Sequence, residues 1–404
     1  TPEVASLVLE NNYQQTLALS LQQRRGLADL PHQARFMAEL EARGLLDRAV
    51  ESLPSDAALA ERQARGEPLT RAELGVLLAY AKIVLMVDLV ASDIPDDRHF
   101  ERDLFGYFPR EMRGPYAAEI AGHRLRREII ARVVANDLVN RGGPSFVSRL
   151  QDATGRTAAD VVRAFVVVRD GFELNALYKA IDALDNRIDG QVQLELYEAV
   201  GRVLFDVTAW FLKNDHSTDP VGERIAVIME ARKALTGQLP DLMPAEIRAR
   251  LERRQERYRA AGAPDELAEG IALALAERAI PDIVKVARQA EVDIVAAAKA
   301  FYVVADAFRL SRIEDAARSL AATDYYDGLA LGRALDTLDS AGRAIAVAAL
   351  KADGDGDGVH RWLEAGGERV ARARERLRGL TESGEISVSR LSVAAGLMHD
   401  LAAT

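Results

Sequence analysis

The chain has 404 residues, 49% of them hydrophobic and 28% charged, enough to build a sizeable core and too apolar for a disordered chain. A formal net charge of −10 disfavours a generic nucleic-acid binder. The lack of cysteine excludes disulfides, thiolate metal sites and a cysteine nucleophile.

Residue 1 is Thr, which reads as a processed or cropped chain, and the first fifteen residues carry neither the basic nor the apolar region of a signal peptide. Thr70-Arg-Ala-Glu73 has capping-box spacing and predicts a helix to about Ala91. Within it, Leu74–Val90 is the most apolar window, but Lys82 and Asp88 interrupt it and it is too short to span a bilayer. A buried central helix is expected there, in a soluble, cytoplasmic protein without a membrane partner. Asp93-Ile-Pro-Asp-Asp97 then stops one helix and caps the next, and His123–Arg141 reads as a helix ended by Gly142-Gly143-Pro144. The run Val161–Val168 looks like a strand, yet it follows Thr157-Ala-Ala-Asp160, a helix-start pattern, and Arg163 and Arg169 fall on one side; a helix is expected. Further helices are expected over 191–214, 219–235, 245–261, 265–279, 291–309, 326–350, 364–380 and 386–402, mostly separated by Pro or Gly. No pair of alternating runs flanks a hairpin turn. The fold class is therefore all-α, a dozen or more helices in two subdomains, 1–215 and 216–404.

A repeat links the two halves. Residues 164–174 and 300–310 share the pattern A-F-x-V-V-x-D-x-F-x-L at a spacing of 136 residues. A spacing this long points to a duplicated helical unit and not to a short solenoid repeat; the alternative is chance likeness between two amphipathic helices.

Motifs that carry chemistry are sparse. The phosphate-binding patterns G-x-G-x-x-G and G-x-x-x-x-G-K-[ST] are absent, as are H-E-x-x-H and the G-x-S-x-G elbow. Asp353-Gly-Asp355-Gly-Asp357-Gly358, with Glu364, fits a Ca²⁺ loop, which needs oxygens at positions 1, 3, 5 and 12 and Gly at 6. The competing reading is an acidic linker whose glycines cap the preceding helix; His360, where such loops place an apolar residue, favours it. The Arg-rich stretches Glu246–Arg259 and Gly367–Arg378 read as solvated helix faces with i, i+4 pairs. Arg124, Arg126 and Arg127 precede an apolar helix that Asn140 and Arg141 follow, so these five residues are candidates for an interdomain contact; the alternative is an exposed helix end.

Several long segments resemble the C-terminal part of the large bacterial NAD-specific glutamate dehydrogenases. They include Asn11-Asn-Tyr-Gln-Gln-Thr-Leu-Ala-Leu-Ser20, the stretch Leu69–Lys82, Ala91-Ser-Asp-Ile-Pro-Asp-Asp97, His123-Arg-Leu-Arg-Arg-Glu-Ile-Ile130, Val139-Asn-Arg-Gly-Gly-Pro-Ser-Phe146 and Ala183-Leu-Asp-Asn186. The likeness covers essentially the whole chain, and Ala72 departs from it where the pattern has Pro. The resemblance implies ACT-like regulatory domains and a dinucleotide-binding catalytic core elsewhere in the parent protein, with this helical region packing on that core. It implies NAD as the parent's cofactor, oxidative deamination of glutamate in glutamate catabolism, and a homo-oligomer. No catalytic or cofactor-binding residue of the family has a matching position here, so the region alone is expected to be inactive. The alternatives are a free-standing helical binding module, gated by calcium through Asp353–Glu364, and an enzyme whose site is assembled from scattered residues.

Overall fold

The computed structural model describes residues 2–320, 325–353, 358–382 and 387–403, and every regular element among them is helical. The chain forms two compact units, Thr1–Ala226 and Val227–Thr404. The first contains α1 (Pro2–Arg25), α2 (Leu30–Ala42), α3 (Asp56–Arg65), α4 (Arg71–Val90), the short α5 (Glu101–Tyr107), α6 (Arg110–Arg113) and α7 (Ala117–Ala121), then α8 (Arg126–Gly142), α9 (Phe146–Thr154), α10 (Ala158–Gly171), α11 (Leu174–Asp182) and α12 (Gly190–Asn214). The division falls inside α13 (Val221–Leu235). The second unit holds α14 (Leu239–Leu242), α15 (Ala245–Ala260), α16 (Asp265–Ala276), α17 (Ile280–Ala290), α18 (Ile294–Ala307), α19 (Leu310–Ser319), α20 (Tyr325–Asp353), α21 (Gly358–Ala365), α22 (Gly367–Glu382) and α23 (Val388–Ala402).

Local chemistry sets the helix starts. Thr70 accepts from the Glu73 N–H at 3.3 Å and its own N–H donates to the Glu73 carboxylate at 2.7 Å, closing the capping box that opens α4. Thr157 and Asp160 do the same for α10. The valine-rich run is helical despite its β-branched residues because α10 is packed on nearly all sides: Val161, Val162, Phe165, Val166, Val167 and Val168 are all fully buried. α4 packs on α8 and α10 on α12, so the apolar stripe of α4 (Leu74, Leu77, Leu78, Ala81, Leu85, Leu89) lies in the core of the first unit. Ile83 and Val87 of the same window are exposed, so α4 is one-sided rather than buried all round. α8 starts three residues later than the apolar pattern predicts. The His123 ring nitrogen Nδ1 accepts the Leu125 N–H at 3.1 Å, and that turn holds 123–125 out of the helix. In the second unit α20 is central, with α17, α18, α21 and α23 against it.

The repeat is visible in the backbone. α9 ends on Gly155 at φ +68°, and α17 ends on Glu291 at φ +57°, 136 positions later. α10 and α18 start on the side-chain caps Thr157 and Asp293, end at Phe172 and Phe308, and are followed by Glu173 (φ +53°) and Arg309 (φ +55°), again 136 apart. A non-glycine residue in the left-handed region is uncommon and costs roughly 1 kcal/mol, so its recurrence at one register is specific. α12 and α20 then begin at 190 and 325 and pack on α10 and α18 respectively.

Candidate functional site: a polar seam in the first unit

Arg126 and Arg127 turn inward onto the acidic turn after α4. Arg127 ion-pairs with Asp96 and donates to the carbonyls of Val90 (2.9 Å) and Ser92 (2.6 Å). These are unpaired acceptors at the negative end of α4, where a cation is favoured. Arg126 donates to the Pro95 carbonyl at 2.7 Å and lies 3.7 Å from Glu101. Arg163 holds the same turn through Asp93. Two of the five predicted interdomain residues therefore close an internal turn. Arg124 is exposed.

Asn140 and Arg141 lie at the end of α8, in a buried polar seam against α1, α2, α11 and α12. The buried Asn140 amide donates to Asn11 at 3.5 Å. The Arg141 guanidinium stacks 4.1 Å from the Tyr178 ring centroid. Tyr178 stacks on Tyr197 (6.3 Å), whose hydroxyl donates to Asp182 and lies 3.5 Å from the Tyr13 hydroxyl. Burial raises all three phenols, Tyr178 to about 12, so each is neutral at pH 7. Gly143, at φ +88° and ψ +175°, holds a conformation open essentially to glycine, and a Cβ there would meet the end of the Gln22 side chain at 2.3 Å, so that amide would have to move. Gln22 in turn accepts from Gln33 at 3.4 Å, and buried Asp29 sits between Arg25 (3.6 Å) and Arg149 (3.4 Å). Four buried atoms along this seam have no hydrogen-bond partner in the protein: Asn140 Oδ1, Arg141 Nε, Tyr178 Oη and Gln33 Oε1. Each unmet group costs about 1–3 kcal/mol, the condition under which buried waters are held. The seam ties α1 to α8 through Asn11 and Asn140, and α2 to α1 through Gln33 and Gln22. Segments 11–20 and 139–146, far apart in sequence, meet in it.

A second polar cluster is invisible to the motif reading. Arg169 is buried and pairs with Asp137 (2.6 Å) and Asp170 (2.8 Å), and Asp170 also meets Arg102 and the His99 ring at 3.2 Å. Burial would raise the Asp170 carboxyl, but hydrogen bonds from His99 and Arg169 and the neighbouring guanidinium charges outweigh it and hold it below the usual carboxylate range. Burial pushes the adjacent Asp103 up. The sequence signal was a charged pair ending an otherwise apolar helix, with Asp137 on an apolar helix nearby. A polar cleft of about 480 Å³ opens beside α10, lined by Asp93, Asp97, Arg156, Arg163, His216 and Arg224. Its arginines are engaged: Arg156 donates to His216 Nδ1 at 2.7 Å, Arg163 to Asp93, and Arg224 pairs with Asp215 at 2.8 Å.

Of the calcium loop, Asp355 and Asp357 lie outside the described residues, as does the side chain of Asp353. Glu364 is exposed on α21, in a groove of about 640 Å³ that it shares with Tyr302, Asp306, His360 and Leu363. Among the described residues no three His, Asp or Glu side chains are placed to hold a metal ion, and no helix is long and apolar enough to cross a membrane. Nor do the described residues form the strand–turn–helix cradle that a dinucleotide uses.

Residues 66–400 match the protein family described as "Glutamate dehydrogenase, C-terminal". An NAD-specific glutamate dehydrogenase of Pseudomonas aeruginosa is 36% identical over 406 residues, covering 100% of this chain and 25% of that protein. One from Halomonas elongata is 38% identical over 374 residues (90% of this chain, 23% of the relative), and one from Mycobacterium tuberculosis is 28% identical over 399 residues (98% and 24%). The chain thus spans about a quarter of the length of the curated relatives it matches.

Proposed function

The chain belongs to the family of glutamate dehydrogenase C-terminal regions, and on that premise we propose that it is the non-catalytic helical region of an NAD-specific glutamate dehydrogenase. The parent would oxidise L-glutamate, with water, to 2-oxoglutarate and ammonium while NAD⁺ takes the hydride. This region would bind no NAD and contribute no reacting group. It would pack on the catalytic core of the same polypeptide and restrain its motion, in a cytoplasmic homo-oligomer without nucleic-acid or membrane partners. One observation carries the reading: the alignment to enzymes so named runs along this whole chain yet occupies only a quarter of each. The side-chain chemistry agrees with it. Arg126, Arg127, Asn140 and Arg141 are engaged in holding helices together, as a scaffold requires.

Glutamate-dependent NAD⁺ reduction tests the proposal. The longer polypeptide should turn over, the 404-residue chain alone should not, and removing residues 66–400 from the longer polypeptide should impair it. Turnover by the isolated chain above background overturns the proposal, and so does a gene that begins at this chain with no dehydrogenase core.

A further inference from the structure

The buried stripe of α1 runs past the body of the first unit. At helical spacing, residues 4, 7, 8, 11, 15, 18 and 22 share one face. Ala18 and Gln22 on that face are buried and Asn11 and Gln15 half-buried, but Val4, Leu7 and Val8 are 43%, 39% and 54% exposed. Two turns of core-type helix face are thus uncovered. They do not stand alone. The Glu3 carboxylate accepts the Arg110 N–H at 3.1 Å, which places the start of α1 beside the segment 107–116. That segment exposes Tyr107 (48%), Met112 (37%) and Tyr116 (51%). His123 packs on Phe108 (5.7 Å), so exposed Arg124 borders the same surface, and Arg110 is 85% exposed on its rim. An apolar centre with aromatic residues and an arginine rim has the composition of a protein interface.

We propose that this face, formed by the first turns of α1 and by residues 107–116, docks on the remainder of the longer polypeptide. The inference rests on the reading above and says where the contact lies. Two features select this occupant over a second copy of the chain. The relatives carry about three further quarters of polypeptide, which must meet this region somewhere. The uncovered apolar residues also continue a stripe that is buried within the first unit, as expected of a helix shared between two packed bodies.

Hydrogen exchange of the amides of residues 6–10 tests this, comparing the 404-residue chain with the full-length polypeptide. Exchange should be at least tenfold slower in the full-length protein. The pair Leu7→Asp with Val8→Asp should abolish that protection and leave the melting temperature of the 404-residue chain unchanged. Leu9→Asp, off the stripe and already exposed, should preserve the protection. Equal exchange in the two proteins overturns the proposal. A concentration-dependent dimer of the 404-residue chain that the Leu7/Val8 pair dissolves also overturns it, by assigning the face to a second copy. Absence of glutamate-dependent NAD⁺ reduction by the full-length protein would remove the enzyme reading, while the exchange comparison would still decide the docking face.

Discussion

The helices α8–α12 and their counterparts α16–α20 follow one backbone plan, yet each carries an ion pair, Arg169–Asp137 or Arg343–Asp282, where the other has two apolar residues. In the first copy Arg169 is buried with Asp137 and Asp170; 136 positions on stand Ala305, Leu273 and Asp306, and Asp306 is exposed. In the second copy Arg343 pairs with Asp282 at 2.5 Å, both largely buried; the matching positions of the first are Val207 and Phe146. Phe146 there packs edge-on against Phe165 (6.2 Å) and Phe205 (5.5 Å). The plan shared by the two is made of caps, left-handed helix ends and the buried phenylalanines 172 and 308. Buried ion pairs are local choices laid over it, in keeping with the rule that such pairs add little net stability but are costly to break.

The largest effects come from breaking those pairs. Arg169→Leu takes the guanidinium from Asp137 and leaves Asp170 with Arg102 and His99, and Arg343→Val takes it from Asp282; each should cost about 1–3 kcal/mol in chemical denaturation, less than the full cost of an unpaired buried charge. Copying the other repeat should restore much of the loss: Arg169→Ala with Asp137→Leu in the first unit, Arg343→Val with Asp282→Phe in the second. If the double variants are as unstable as the single ones, the charges belong to the shared plan and the comparison fails.

A smaller, pH-dependent effect sharpens the same contrast. The folded-state pKa of Asp170 lies below its unfolded value, near 4, so its contribution to stability is complete above that value and is lost as the pH falls through the folded one. Melting temperature should therefore fall with acid below about pH 4. Asp170→Asn should flatten that slope, whereas Asp306→Asn, in the exposed counterpart, should leave it in place. Equal slopes in the two variants would sink the assignment.

How much of this the sequence carries depends on range. The caps Thr70–Glu73 and Thr157–Asp160 and the break Gly142-Gly143-Pro144 are legible because each acts within three or four residues. The all-helical class follows from them. Arg126 and Arg127 look like surface cations because their partners, Pro95 and Asp96, lie 31 residues away and no local pattern announces them. The seam is half legible: the segments around Asn11 and Asn140 stand out, but their meeting does not, since a 129-residue closure leaves no trace in spacing. The repeat shows itself in sequence over eleven positions only, because outside them backbone conformation persists while residue type drifts, as Gly155 and Glu291 illustrate.

Gly143 probes a position where the two copies differ in backbone. Its φ of +88° with ψ of +175° is essentially a glycine conformation, while Ala279, 136 positions on, has an ordinary φ of −76°. Gly143→Ala should therefore destabilise by about 1–3 kcal/mol, part strain and part displacement of the Gln22 amide. Because Gln22 and Gln33 would shift, exchange of the α1 amides near Gln22 should rise as well. A neutral result would mean that the seam tolerates a side chain there and that glycine at 143 is not what fixes α1.

The smallest effects test the shared plan itself. Gly155 and Glu291 occupy the same left-handed helix end, and nothing lies within 4 Å of a Cβ added at Gly155. Alanine there meets only backbone strain of roughly 1 kcal/mol, partly offset because glycine gains more freedom on unfolding. Gly155→Ala should thus destabilise the first unit by about 0.5 kcal/mol, and Glu291→Gly should stabilise the second by a similar amount. The pair Glu173→Gly and Arg309→Gly should instead shift both units in the same direction, since both positions now carry a strained non-glycine residue. Opposite signs for that last pair would show that the two helix ends only look alike, and that the duplication stops at the eleven positions visible in the sequence.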